Sequence, residues 1–283
     1  MGDPKPFLKW AGGKRQLLPE LKKYIPEFNR YFEPFVGAGA LFFELQPNCA
    51  VINDINTELI NCYRVIRQFP EELIDELSWF ENTEEYFYNV RDWDRKRNDP
   101  LSTFANLVKK AARTIYLNKT CFNGLYRVNS KGKFNVPYGK YKAEFKPDTK
   151  NIRAVSKYLA PVTILNGDFE AAVKDTREGD FVYFDPPYDP VSETANFTNY
   201  NAGGFGKSEQ LRLRDTFLGL TKRGVKVMLS NADTRFISRL YEYYYGFHIY
   251  KVNAKRAINS KGDRRGAVSE VVITNYVPYF MRG

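Results

Sequence analysis

The chain has 283 residues, with 43 Lys plus Arg against 33 Asp plus Glu, a formal charge of +10 and a pI near 9.3. Its 43% hydrophobic content supports a real core in one large α/β domain or a domain with a substantial insertion, and the charge favours a polyanionic partner, although a basic surface kept for solubility gives the same count. Scattered Cys49, Cys62 and Cys121 and the lone His248 exclude a metal site of ordinary spacing, and the polar N-terminus with no apolar run near the ~20 residues of a membrane span points to the cytoplasm.

In chain order, the first strand is expected to end at Phe32 within YFEPFVGAGALFFEL, followed by Gly37 and Gly39 and the apolar start of a helix. Glycines here let a ligand approach the backbone, but the full G-x-G-x-x-G is missing, so a tight turn with no ligand fits equally well. Asp54 breaks the tie: VINDIN puts an acid at the end of the next strand, a little short of the ~20 residues at which such folds hold a ribose diol. A nucleoside without a pyrophosphate is implied, and S-adenosylmethionine fits that description.

From Leu59 to Leu117 the chain reads mostly as charged helices, with VRDWDRKRNDP as a polar connection. LYRVNSKGKFNVPYGKYK follows, two alternating runs around Ser130-Lys131-Gly132, the pattern of a β-hairpin with a glycine-bearing loop. Strand-and-helix alternation resumes near Pro161 with VTILNGDF, FVYFDPP, LRLRDTFLGLTKRG, VKVMLSN and VSEVVITNY. This is βαβ punctuation, hence a mainly parallel sheet with room for an antiparallel last strand. His248, in the aromatic stretch YEYYYGFHIYKV, reads as a packed histidine and the cysteines as reduced structural thiols.

FVYFDPPYDP carries the chemistry. Strand carboxyl ends are where open α/β sheets bind ligands, and two prolines make Asp185 to Tyr188 a rigid, non-helical segment. The competing reading is a proline-rich turn with a solvated aspartate.

FLKWAGGK (Phe7 to Lys14), FEPFVGAG, the IND acid, NGDF (Asn166 to Phe169) and DPPY, in that order and with a large insertion before the last two, resemble the Dam and DpnII-type GATC adenine-N6 methyltransferases, the D12 class, alpha group. The similarity spans nearly the whole chain. It implies a Rossmann-like S-adenosylmethionine-dependent methyltransferase sheet, with 1–58 and 160–283 as catalytic domain and 59–159 as an inserted helical plus β-hairpin target-recognition domain.

The resemblance also assigns residues. Asp185, Pro186, Pro187 and Tyr188 are the implied catalytic set: the Asp185 carboxylate and the Pro186 carbonyl accept the two hydrogens of an exocyclic amine, and Tyr188 stacks on the base. Trp10, Lys14, Phe35, Gly37, Gly39, Asp54, Asp168, Phe169 and Asp185 are implied around the cofactor, with Trp10 on its adenine, Lys14 toward its carboxylate and Asp168 at its adenine amine. For double-stranded DNA the set is Lys9, Phe122, Asn123, Leu125, Arg127, Asn135, Pro137 and Tyr141. Arg127 matches a guanine-reading arginine, with phosphate binding as its alternative. Lys9 matches a lysine for the outer guanine, Phe122 and Asn123 a pair that invades the helix beside a flipped base, and Pro137 a thymine-methyl contact. TANFTNYNAGGFG, with Phe197 and Tyr200, reads as a lid, and KRAINSKGDRR (Lys255 to Arg265) as a phosphate-contacting loop or a solvated charge run. A monomer that needs no metal is expected. Two other classes stay open: an amino-methyltransferase of another target, such as cytosine N4 or a different adenine sequence, and a DNA-binding module without turnover.

Overall fold

Phe181–Phe184 is buried at every position, as a strand covered on both faces must be. In the computed structural model, which describes residues 2–10, 14–95, 105–190, 204–254 and 268–281, it is the middle strand of a seven-stranded sheet. In chain order the strands are β1 (Tyr31–Glu33), β2 (Ala50–Asp54), β3 (Thr163–Asn166), β4 (Phe181–Phe184), β5 (Lys226–Ala232), β6 (His248–Ala254) and β7 (Val268–Thr274). Their spatial order is β3-β2-β1-β4-β5-β7-β6. The first five pair in parallel, and β7 enters antiparallel between β5 and β6. This is the Rossmann-like, doubly wound arrangement.

The helices are α1 (Leu18–Leu21), α2 (Ala40–Leu45), α3 (Thr57–Gln68), α4 (Pro70–Ser78), α5 (Glu84–Arg91), α6 (Ala105–Thr120), α7 (Thr149–Leu159), α8 (Phe169–Ala172), α9 (Lys207–Lys222) and α10 (Arg235–Tyr241). Local chemistry sets their ends. Asn56, Thr83 and Asp148 cap α3, α5 and α7 through side-chain oxygens that accept backbone N–H groups, and Pro70 opens α4 directly after α3.

Period-two alternation sends Tyr31, Phe181 and Tyr183 to one face of the sheet and Phe32, Val182 and Phe184 to the other. The second face is covered by α9 through Leu213, Phe217 and Leu220 and by α10 through Ile237, Leu240 and Tyr241. The first face continues without a break into α3 and the inserted helices, joining Ile52 and Tyr63 to Phe80, Phe87 and Tyr116. All of α3 to α7 lies between β2 and β3.

The expected hairpin is a chain reversal, not two regular strands. Single antiparallel bridges join Val128 to Phe134 and Cys121 to Tyr138. The turn is held by Asn129, whose Oδ1 accepts from the N–H groups of Lys131 and Lys133 at 3.0 Å, and Gly132 supplies a φ of +71°. Pro137 has no N–H to continue a ladder, so pairing stops short. Within VRDWDRKRNDP, Asp92–Arg95 is a 3-10 turn. Residues 96–100 of that segment, the lid before residue 204 with Phe197 and Tyr200, and Lys255 to Arg265 lie outside the described residues.

Candidate active site

Strand order reverses between β1 and β4, and in open α/β sheets the crevice outside the carboxyl ends at that point is where ligands bind. Four chain segments leave the sheet there: 34–39 after β1, Asp54 at the end of β2, 167–169 after β3 and 185–188 after β4. Buried Asn53 ties two of them together, donating to the Pro34 carbonyl at 2.9 Å and the Gly167 carbonyl at 3.0 Å.

On the β1–β2 side, Gly37 and Gly39 have φ of +49° and +71°, a conformation costly for residues with a Cβ. A Cβ on Gly37 would meet Trp10 Cδ1 at 3.0 Å, and one on Gly39 would meet the Tyr63 hydroxyl at 2.9 Å. Asp54 accepts from Gly37 N at 3.1 Å and Asn56 N at 2.9 Å. Burial still pushes its carboxyl up to about 6, with those backbone donors opposing. Phe35 packs against Phe169, 5.3 Å away between ring centroids, and Phe205 at 5.6 Å, and those two rings also meet at 6.1 Å. Asp168 caps α8 by accepting from Glu170 N at 2.9 Å and pairs with Arg212, whose guanidinium lies 4.4 Å from the Phe169 ring centroid. These residues gather on one side of the crevice, aromatic rings beside two acids, Asp54 and Asp168.

On the β4 side the prolines hold an acceptor-rich segment. Gln210 Nε2 donates to the Pro187 carbonyl at 3.0 Å and is itself fixed by Asn231, which also accepts from Asp189 N at 3.1 Å. Among the described residues no donor reaches the Pro186 carbonyl. Asp185 Oδ1 is 3.2 Å from Lys14 Nζ, yet the approach gives it no aligned hydrogen bond. Burial raises the Asp185 carboxyl to about 6, the Lys14 ammonium pulling the other way and Glu270 adding to the rise. Lys14 is 5% exposed and lies 3.2 Å from Glu270 Oε2, and it donates to the Tyr188 hydroxyl. Tyr188 in turn donates to Glu270 Oε2 at 2.7 Å. The Lys14 ammonium thus lies against Asp185, Glu270 and Tyr188. Glu33, buried at the end of β1 and accepting from the Tyr31 hydroxyl at 2.7 Å, is pushed well above the usual carboxylate range by burial.

The insertion presents a second group. Along 124–127 exposure alternates: Gly124 and Tyr126 are buried, Leu125 and Arg127 exposed. Phe122, 52% exposed, and Asn123, at φ +56°, form the adjacent turn, with Pro137 and Tyr141 also exposed. Arg127 is aimed by Asn135, donating Nε to its Oδ1 at 2.8 Å. Lys9 joins this group, because Asn118 bonds both its N–H and its carbonyl at 2.8 Å and also the Gly124 carbonyl at 3.0 Å. Trp10 links the two groups: its ring stacks on Tyr126 at 4.7 Å and its edge packs at Gly37. Glu270, Glu33, Gln210 and Asn231 were not singled out from sequence. The readable signal for Glu270 was an acid inside the apolar run VSEVVIT.

Residues 10–258 match the family of the D12 class N6 adenine-specific DNA methyltransferase. The chain is 50% identical over 278 residues to the type II methyltransferase M1.LlaDCHI of Lactococcus lactis subsp. cremoris, covering 96% of this chain and 95% of that protein. It is 45% identical to the type II methyltransferase M.MjaIII of Methanocaldococcus jannaschii, over 96% and 99% of the two chains. To the DNA adenine methylase of Escherichia coli K12 it is 34% identical, over 94% and 93%. With a family match over most of its length and relatives of this identity along nearly its whole extent, the chain belongs to the D12 class of N6 adenine-specific DNA methyltransferases.

Proposed function

We propose that this enzyme methylates adenine N6 within duplex GATC, acting on a flipped base and taking the methyl group from S-adenosylmethionine. The observation that carries the reading is the pair of unfilled acceptors at the switch point: Asp185 Oδ1, buried without an aligned donor, beside a Pro186 carbonyl that no described donor reaches. The exocyclic amine of adenine has two N–H groups and a lone pair delocalised into the ring. Two fixed acceptors localise that lone pair on nitrogen, and rigid prolines supply them with no reorganisation at the moment of reaction.

The group at Gly37, Gly39, Phe35, Phe169 and Asp54 suits a nucleoside: the two positive-φ glycines present backbone without a Cβ, and Asp54 retains lone pairs for a ribose diol. When bound there, S-adenosylmethionine supplies an electrophilic methyl on a sulfonium. Its transfer to N6 would leave the sulfur as a neutral thioether, and Asp185 would take up the hydrogen that the amine gives up and pass it to water. Asp185 and Pro186 orient the nitrogen, Tyr188 faces the base, and positioning supplies most of the rate.

A base inside a duplex cannot reach this crevice, so the adenine must leave the stack at a cost of a few kcal/mol. The exposed Phe122 and Asn123 would fill the gap. Arg127, aimed by Asn135, is suited to guanine O6 and N7, and Lys9 and Pro137 extend the reading surface. We take 59–159 as the recognition unit, 1–58 and 160–283 as the catalytic one, and a cytoplasmic monomer working on the nucleoid as the acting form. Relatives named type II methyltransferases support a role in protecting DNA beside a restriction enzyme.

The test is direct. The protein is incubated with labelled S-adenosylmethionine and adenine-unmethylated plasmid, and protected restriction sites are mapped. Protection confined to GATC is expected. Label on adenines in another sequence would overturn the GATC reading, and cofactor binding without transfer would leave a DNA-binding module.

A further inference from the structure

Glu270 has no part in the mechanism above, yet it touches Tyr188, which does, and Lys14, which lies against Asp185. It lies on β7, where its register partners are Ala232 on β5 and Val252 on β6, and it is 6% exposed. A carboxylate in such a place persists only if it is paired. Its Oε2 accepts from the Tyr188 hydroxyl at 2.7 Å and lies 3.2 Å from Lys14 Nζ. Lys14 stands equally far, 3.2 Å, from Asp185 Oδ1, but that approach yields no aligned hydrogen bond. The ammonium is therefore shared between two acids, with its aligned bonds directed to Glu270 and Tyr188.

We propose that Glu270 is a positioning residue for methyl transfer: it holds Lys14 and Tyr188 toward β7, so that Asp185 stays open as the acceptor for the substrate amine. The inference rests on the reading of Asp185 as that acceptor. Without the charge at position 270, Asp185 is the one remaining acid within reach of Lys14 among the described residues. Attraction between opposite charges is strong in a buried site, and the ammonium would swing onto Asp185 Oδ1, occupying the lone pair meant for the amine. The Tyr188 ring would keep only a neutral anchor.

Glu270→Gln tests this, because the amide keeps the shape and an acceptor for Tyr188 but removes the charge. Single-turnover methylation of adenine-unmethylated plasmid should fall about tenfold to a hundredfold, the scale of a misplaced reacting group, with Kd for S-adenosylmethionine and for DNA within about twofold of wild type, as a residue that acts on the reacting group and not on overall binding requires. A crystal structure of the variant should show Lys14 Nζ hydrogen-bonded to Asp185, and Glu270→Asp, which keeps the charge, should recover part of the rate. A Gln variant at wild-type rate, a loss matched in both binding constants, or a Lys14 still seated at residue 270 would each overturn the proposal. So would a Gln variant that fails to fold, since the role would then be structural. Wild-type protein that transfers no methyl group would sink the acceptor reading and this inference with it, whereas normal wild-type turnover with an unaffected variant sinks only the inference.

Discussion

Replacing Asp185 by asparagine should stabilise the folded chain while ending turnover. Burial raises this carboxyl from the usual 3.8 to about 6, despite an ammonium 3.2 Å away. A group whose pKa is higher in the folded chain than in the unfolded one binds its proton more tightly when folded. Its contribution to stability is complete below the unfolded value, near 3.8, and is lost as pH rises through about 6. At pH 8 the fold therefore carries an ionised Asp185 at a cost of about 3 kcal/mol, the free energy that separates the two pKa values. That figure is an upper bound, because the side chain is 20% exposed and its removal leaves Lys14 with Glu270 alone. Asparagine has nearly the same shape and no charge. For a 283-residue chain the corresponding rise in melting temperature is about 5 °C at most.

Scanning calorimetry of both proteins at pH 8 and pH 4.5, in one buffer of fixed ionic strength, is the assay. The difference should be largest at pH 8 and shrink to about a third of that by pH 4.5, where the folded carboxyl is protonated and the unfolded one is still mostly ionised. A variant that melts below wild type at pH 8, or that gains the same amount at both pH values, would refute the account of Asp185 as a desolvated acceptor kept at the expense of stability.

Asp54→Ala should weaken S-adenosylmethionine binding by about 1.5–3 kcal/mol, the range for a hydrogen bond to a charged group. Titration calorimetry reads this, and unchanged binding by a folded variant would remove Asp54 from the site. Single-turnover methylation at saturating cofactor should decline as pH falls through about 6, because Asp185 must be ionised to accept an amine hydrogen. A limb near 4 would mean the carboxyl is not raised by burial. Arg127→Ala should cost about 1–3 kcal/mol in kcat/KM on GATC and relax discrimination at one symmetric base pair. Asn135→Ala should copy part of that change, since Asn135 aims the guanidinium, whereas equal losses on every singly substituted oligonucleotide would make Arg127 a phosphate contact.

The sheet was legible because its signals are local. FVYF is buried on both faces and ends at DPP, VIND ends on its acid, and β1 runs into a glycine turn while β2, β3 and β5 each lead into a helix, so the strand ends that carry the acids can be read from local pattern. The insertion was legible as helices for the same reason. Its chain reversal was less so: Ser130-Lys131-Gly132 marks a turn, but turn chemistry does not say how far pairing continues, and here Pro137 and an isolated Val128–Phe134 bridge end it early.

What the sequence withheld depends on contacts between distant segments. Lys14 was assigned by resemblance to the cofactor carboxylate, and nothing near it in the chain indicates that its ammonium lies against Asp185 and Glu270. Glu270 reaches Tyr188 across 82 residues of chain, and does so only because the last strand inserts antiparallel between β5 and β6. Period-two alternation makes an acid in VSEVVIT conspicuous, but alternation cannot choose the face or the neighbour, since a one-residue slip in register would send that side chain to the other side of the sheet. The register Ala232 to Glu270 is fixed by the apolar residues around it, with Val271 and Ile273 packed on one face and Val272 on the other. The packing of these ordinary valines and isoleucines is thus what delivers a carboxylate to Lys14 and Tyr188, and a change to that register would disturb the site as surely as a change to DPPY.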